Sequence, residues 1–178
     1  MTSRENQLQG HPLPRIAEYF VLIFLMIACS GATGAQAVPE PSPTWLTSDP
    51  ATKSVKLLVI SSYNSVNAGF NFNGYESGKM VVSVPEGWQV TVDCKIKGNG
   101  NHSCAIVKNA GDQTPAFPGA TTPDPVHGFP NGGTQSFTFK TANPGTYRIS
   151  CLVPGHDDSG MWDTFIVTAG GEPSIKLG

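Results

Sequence analysis

The chain has 178 residues, a formal net charge of −2 at pH 7 and only 13% charged residues. This balance excludes a protein that attracts nucleic acid through a basic excess, and no run of like charges indicates an electrostatic arm. The length fits one domain with a sizeable core behind an N-terminal segment, and we expect a monomer.

Residues 1–37 have the character of a targeting segment rather than of a fold. The apolar stretch from Tyr19 to Cys29 is short for a membrane span, and "AQA" at 35–37 is an A-x-A cleavage pattern. A secretory signal peptide is the preferred interpretation, and the alternatives are an uncleaved membrane anchor or lipid attachment at Cys29. All three place the rest of the chain outside the cytoplasm, in the periplasm or secreted, and the two alternatives attach it to a membrane.

The remaining chain has the pattern of a β protein. Residues 38–53 are rich in Pro, Ser and Thr, which predicts a linker. Short alternating runs bounded by turn residues then predict strands at "SVKLLVIS", "FNFNGY", "KMVVSVP", "WQVTVDCKI", "SCAIVK", "QSFTFKT", "TYRISCLV" and "WDTFIVTA". The pattern indicates an all-β sandwich or small barrel of seven to eight strands over residues 54–170, followed by a tail at 171–178.

One segment, residues 109–135, has no convincing strand and is rich in Pro and Gly. A loop of this length within a compact domain is either functional or loosely ordered. We expect a solvated insertion that joins two strands.

Three cysteines lie beyond the N-terminal segment. Cys94 is on the apolar side of its predicted strand, and Cys104 opens the next predicted strand. These two residues either form a disulfide, if their Cα atoms lie within about 7 Å, or remain two small buried apolar side chains. Cys151 is then left over, and an unpaired thiol in an exported protein requires another explanation.

The segment "CLVPGHDDSGMW" at 151–162 supplies that explanation. It contains Cys151, His156 and Met161, each separated from the next by four residues. Soft sulfur ligands with imidazole suit copper, and two histidines, a cysteine and a weak axial methionine describe a blue copper site. Zinc also binds cysteine and histidine, but methionine is a poor zinc ligand, so copper is favoured.

The second histidine must come from elsewhere in the chain. The candidates are His102, at the start of an apolar strand in "GNGNHSCAIV", and His127, in the Pro/Gly-rich loop. A rigid strand fixes an imidazole ring better than a long loop, so His102 is the predicted ligand. The predicted site therefore holds one copper ion through His102, Cys151, His156 and Met161.

These motifs resemble those of a known family. "CLVPGHDDSGMW" resembles the ligand loop of cupredoxins, and its C-x₄-H-x₄-M spacing is similar to that of sulfocyanins and rusticyanins. "FNFNGYESGKMVVSVPEGWQVTV" and "NHSCAIV" resemble the sulfocyanin segments that precede and carry the first histidine, so the similarity covers residues 70–168. The resemblance implies a cupredoxin-like Greek-key β-sandwich with one type 1 copper. It also implies that Ser103 orients His102 or the ligand loop by hydrogen bonding.

The resemblance further implies single-electron transfer in respiration, with a cytochrome or a terminal oxidase as partner, and no enzymatic activity. A nitrite reductase or multicopper oxidase needs additional histidines, and a dinuclear copper site of the oxidase type needs C-x₃-C, which the chain lacks. The alternative is an extracytoplasmic copper-binding or copper-delivery protein for an oxidase. Such a protein would favour Cu(I) through exposed Met- or His-rich clusters, and the sequence contains none.

His156 is the expected electron exit because it lies in the middle of the ligand loop. An apolar patch suited to docking is expected around it, formed by Leu152, Val153, Pro154 and Trp162. Asp157 and Asp158 either steer a cationic partner or are solvated turn residues.

Overall fold

The computed structural model describes residues 45–178. The targeting segment predicted at 1–37, including Cys29 and the cleavage pattern, lies outside the described residues. Within the described part, no helix has both the length and the apolar character that a membrane crossing requires.

Residues 45–178 form nine β-strands in two sheets. The strands are β1 (Leu46–Asp49), β2 (Ser54–Ser61), β3 (Met80–Pro85), β4 (Gln89–Ile96), β5 (Ala105–Val107), β6 (Thr134–Lys140), β7 (Gly145–Ser150), β8 (Trp162–Thr168) and β9 (Ser174–Leu177), with one 3₁₀ turn at Val66–Gly69. One sheet has the order β1-β2-β4-β6 and the other β5-β7-β8-β3-β9. Both sheets are mixed, because β2 is parallel to β4 and β3 is parallel to β8.

The two sheets pack face to face through alternating side chains. Every second residue of β4 from Val90 to Ile96 is fully buried, while the residues between them face outwards. Across the core, the rings of Phe139 in β6 and Phe165 in β8 make an edge contact with centroids 5.9 Å apart. The all-β sandwich predicted from the alternation is confirmed.

The number and limits of the strands differ from the prediction of seven to eight strands over 54–170. β1 lies in the segment assigned to the linker and pairs with β2, and β9 lies in the segment assigned to the tail and pairs with β3. Both are edge strands of four residues without clear alternation, so pairing with a neighbour decides their structure. The strand predicted at 70–75 is wrong, because Asn73 and Gly74 take positive φ and make a turn.

The open question about the cysteines is decided in favour of a disulfide. Cys94 and Cys104 are joined, with Cα atoms 6.0 Å apart, and Cys151 is the free cysteine of the described residues. The disulfide links β4 to the residues immediately before β5. The segment that carries His102 is therefore covalently tied to the opposite sheet.

The segment at 109–135 is exposed over much of its length, as expected of a solvated insertion, but it also packs against the sandwich and so does more than join two strands. Phe117 is buried in the core. The N–H of Ile106 in β5 donates to the carbonyl of Ala120 at 2.8 Å, which gives the segment a regular contact with the sheet. Proline and glycine remove the strand pattern from the sequence without preventing backbone pairing.

Candidate metal centre

The loop between β7 and β8 closes on itself and brings its two ends together. The N–H of Cys151 donates to the carbonyl of Met161 at 3.2 Å, and the N–H of Met161 donates to the carbonyl of His156 at 2.9 Å. Gly155 and Gly160 take φ values of 81° and 89°, which glycine adopts without steric cost. Three residues that are evenly spaced in sequence are thereby gathered around one compact loop.

His102 reaches the same place from the residues that precede β5. Its ring Nε2 lies 3.1 Å from the carbonyl oxygen of Asn99. A carbonyl oxygen only accepts, so Nε2 carries the proton and Nδ1 keeps a lone pair. This Nδ1 atom is buried and has no hydrogen-bond partner. Because buried polar atoms are nearly always paired, a buried lone pair without a partner suits a ligand to a metal.

Three side chains that are able to bind a metal converge at this point. The candidate ligand atoms of His102, Cys151 and His156 all lie within 4.8 Å of one another. Sγ of Cys151 is 3.3 Å from Nδ1 of His156, and the two imidazole rings have centroids 4.9 Å apart. A thiol with two imidazoles fits a metal ion, and the soft sulfur donor favours copper.

The two remaining candidate ligands lie in contrasting surroundings. Met161 is fully buried and its backbone is bonded to both Cys151 and His156. The side chain of His127 is 80% exposed, and its Nδ1 pairs with Oδ1 of Asp124 at 2.8 Å. The structure brings His102, rather than His127, to Cys151 and His156.

Burial shifts the proton affinity of all three groups. It lowers the pKa of His102 and of His156, and the nearby His102 lowers the pKa of His156 further. Burial raises the pKa of the Cys151 thiol, hydrogen bonds from Ser103 oppose that rise, and the charge of Asp157 adds to it. The imidazoles are thus neutral near neutral pH and can donate to a metal, whereas the thiol must lose its proton. Metal binding would release that proton and weaken as the pH falls.

Ser103 is hydrogen-bonded to both Cys151 and the next residue, Leu152. The N–H of Ser103 donates to Sγ of Cys151 at 3.3 Å, and Oγ of Ser103 accepts from the N–H of Leu152 at 2.9 Å. A hydrogen bond directed at sulfur stabilises the thiolate over the thiol. Ser103 therefore contacts the ligand loop directly.

Asp157 ties the ligand loop to β7. Its carboxylate accepts from Nη1 of Arg148 at 2.9 Å, from Oγ of Ser150 at 2.7 Å and from the N–H of Gly111 at 3.2 Å. Arg148 also lies over the ring of Trp162, 3.6 Å from its centroid. With a side chain only 13% exposed and paired with Arg148, Asp157 is neither a steering charge nor a solvated turn residue, so both interpretations are wrong for this residue, while both stay predictions for the exposed Asp158. The hydrogen-bond partners of Asp157 lie in β7 and in the 109–135 segment, and the sequence pattern of the loop alone does not reveal them.

The surface beside His156 also differs from the expected patch. Pro154 is exposed and Val153 is partly exposed, but Leu152 is buried. Phe70, which the sequence did not indicate, makes an edge contact with the His156 ring at a centroid distance of 5.0 Å. A cavity of about 260 Å³ adjoins both histidines and is lined by Ser62, Ala68, Gly69, Phe70, Asn99, Gly100, Asn101, His102, Val153 and His156.

Among curated proteins, the chain is similar to a sulfocyanin, which is also a family that its motifs resemble. Sulfocyanin from Sulfolobus acidocaldarius is 30% identical over 124 residues, which cover 62% of this chain. The match spans 61% of that relative's length.

Two solved structures show a lower similarity. Dithionite-reduced auracyanin from Roseiflexus castenholzii is 24% identical, with 64% of this chain and 96% of auracyanin covered and a TM-score of 0.48. Reduced rusticyanin is 19% identical, with 70% and 91% covered and a TM-score of 0.46. The assignment rests instead on the family model described as the sulfocyanin (SoxE) domain, which matches residues 41–171. The chain belongs to the sulfocyanin family.

Proposed function

We propose that this chain is a blue copper protein that carries single electrons between redox partners outside the cytoplasm. The observation behind the proposal is the convergence of a thiol and two imidazoles within 4.8 Å, where Nδ1 of His102 has no other partner. Membership in the sulfocyanin family supports copper as the metal. When bound, one type 1 copper ion would supply a centre that accepts and releases one electron at a time.

The ion would be held by four residues, namely His102, Cys151, His156 and Met161. The first three are the strong ligands, and the methionine is a weak axial donor that tunes the balance between the oxidation states. The chain holds these side chains in place through the carbonyl of Asn99, the N–H of Ser103 and the carboxylate of Asp157. Ligands held in this way move little when the charge on the ion changes, which suits fast electron transfer.

Electrons would enter and leave through His156. Its ring is partly exposed, whereas Cys151 and His102 are buried. The surface next to it is formed by Phe70, Val153 and Pro154. An apolar contact made by a few side chains suits a weak, short-lived encounter with a partner such as a cytochrome or a terminal oxidase.

The disulfide and the methionines bear on where the protein works and on the alternative function, which is copper delivery. A disulfide between Cys94 and Cys104 supports a periplasmic or secreted protein, with membrane attachment through the N-terminus as a further part of the proposal. Copper delivery would require exposed soft donors. In residues 45–178 the methionines are Met80 and Met161, and both are fully buried, which favours the carrier over the delivery protein.

Copper titration of two histidine variants tests the proposed ligand set. His102→Ala is expected to lose the intense visible band of the copper protein, because it removes the buried Nδ1 donor. His127→Ala is a matched control from the surface and is expected to keep the band and bind one copper per chain. Absorption spectra recorded during the titration give the answer. An intact band in His102→Ala, or its loss in His127→Ala, would contradict the proposed site.

A further inference from the structure

The segment at 109–135 contacts both parts of the chain that carry the candidate ligands. Near its start, the N–H of Gly111 donates to Oδ2 of Asp157 in the ligand loop. Near its end, Phe129 pairs with His102 through two backbone hydrogen bonds of 3.1 and 2.9 Å. The 109–135 segment therefore contacts both His102 and the ligand loop, which are distant from each other in the sequence.

Gly128 lies close to both of these parts of the chain. A Cβ atom at this position would lie 2.7 Å from the carbonyl oxygen of His102 and 2.9 Å from Cγ2 of Val153. Real Cβ atoms do not approach other atoms so closely, so a side chain at position 128 would displace a neighbour. One neighbour is the backbone of His102, and the other belongs to the loop that carries Cys151 and His156.

We propose that the 109–135 segment is a positioning element for the copper ligands and that Gly128 is the residue through which it sets the place of His102. This inference rests on the proposed copper site. His102 lies outside the regular strands and makes only an isolated bridge, to Phe129. Its backbone is thus fixed from one side by this bridge and from the other by the disulfide at Cys104.

A displaced His102 backbone would change the geometry of the proposed copper site. A shift of a few tenths of an ångström in the His102 backbone moves Nδ1 by a similar amount, since the imidazole ring is rigid. If His102 and Cys151 hold the same copper ion, a movement of Nδ1 would also change the interaction of that ion with Sγ of Cys151. Changes at Gly128 should therefore alter the spectrum and the reduction potential without removing a ligand.

The test compares Gly128→Ala with Gly132→Ala. Both glycines have a left-handed backbone, with φ of 66° and 78°, but a Cβ at Gly132 meets no atom within 4 Å. The two variants therefore pay a similar backbone cost, and only Gly128→Ala disturbs His102. We expect Gly128→Ala to shift the sulfur-to-copper band and the reduction potential, while Gly132→Ala matches the wild type. Equal spectra and potentials in the two variants would overturn the inference.

Amide hydrogen exchange in the copper-free wild type keeps the inference testable if Gly128→Ala does not fold. The N–H groups of His102 and Phe129 should exchange more slowly than the N–H of the exposed Asn131, because each donates to the other residue's carbonyl. Exchange at the rate of the exposed Asn131 would contradict a positioning role. A wild type without any visible copper band would instead refute the proposed function, so the two failures are distinguishable.

Discussion

Asp163→Asn is expected to raise the free energy of unfolding at pH 7 and to leave it nearly unchanged in acid. Asp163 is fully buried in β8, and burial raises the pKa of its carboxyl from 3.8 to about 8. Oδ1 accepts the N–H of Met80 at 2.9 Å, whereas Oδ2 is buried without a partner. An asparagine keeps the acceptor for Met80 and removes the group that would have to be buried with a charge.

The direction of the effect follows from proton binding in the two states. The folded chain holds the Asp163 proton up to about pH 8, whereas the unfolded chain releases it near the ordinary pKa of 3.8. The folded state therefore binds more protons between these values, and the stability is full below 3.8 and falls as the pH rises towards 8. About three pH units within this window correspond to a loss on the order of 4 kcal/mol at pH 7.

Denaturant unfolding of the copper-free protein at several pH values measures this effect. The metal is left out because its binding releases the Cys151 proton and adds a pH dependence of its own. Asp158→Asn removes an exposed carboxylate from the same chain and should leave the slope of stability against pH as in the wild type. A stability difference between Asp163→Asn and the wild type that stays constant with pH would show that burial of this carboxyl is not the cause.

Cys151→Ser is expected to abolish the visible band of the copper protein. The band requires a sulfur bonded to copper, and Cys151 is the free cysteine of the described residues, with Sγ 3.3 Å from Nδ1 of His156. Serine has a similar size and fills the same space, so the fold should be kept. Its hydroxyl is a harder donor that does not ionise readily, and copper affinity should fall together with the colour.

Ser103→Ala is the matched control for this change. It removes the hydroxyl that accepts from Leu152 but keeps the N–H that points at Sγ of Cys151. The band should therefore persist in Ser103→Ala, with a shifted position, while it is absent in Cys151→Ser at any copper concentration. Absorption and paramagnetic resonance spectra of the two variants provide the comparison. A Cys151→Ser protein with the wild-type spectrum would rule out the thiolate ligand.

Local patterns in the sequence were sufficient to predict most of the strands and the ligand loop. Alternation located β4 and β8 because each buries one face, and a short motif located Cys151 and His156 because both lie on one loop. The edge strands β1 and β9 lack alternation and depend on a partner strand.

Contacts between distant segments could not be derived in the same way. The hydrogen bond from Gly111 to Asp157, the packing of Gly128 on His102 and the contact of Phe70 with His156 each depend on how the loops fold together. Asp163 carried a usable signal, since it shares the buried face of β8 with Phe165. An acidic residue on an apolar face is rare, so this position alone indicates an unusual carboxyl group.

The electron self-exchange rate of the copper-loaded protein tests the carrier function most directly. Mixtures of the reduced and oxidised forms are followed by NMR at increasing protein concentration. A partly exposed His156 and ligands fixed by Ser103 and Asp157 predict fast exchange, so that resonances near the site merge as the concentration rises. Separate resonances for the two forms at every concentration would show slow exchange and would contradict an electron carrier.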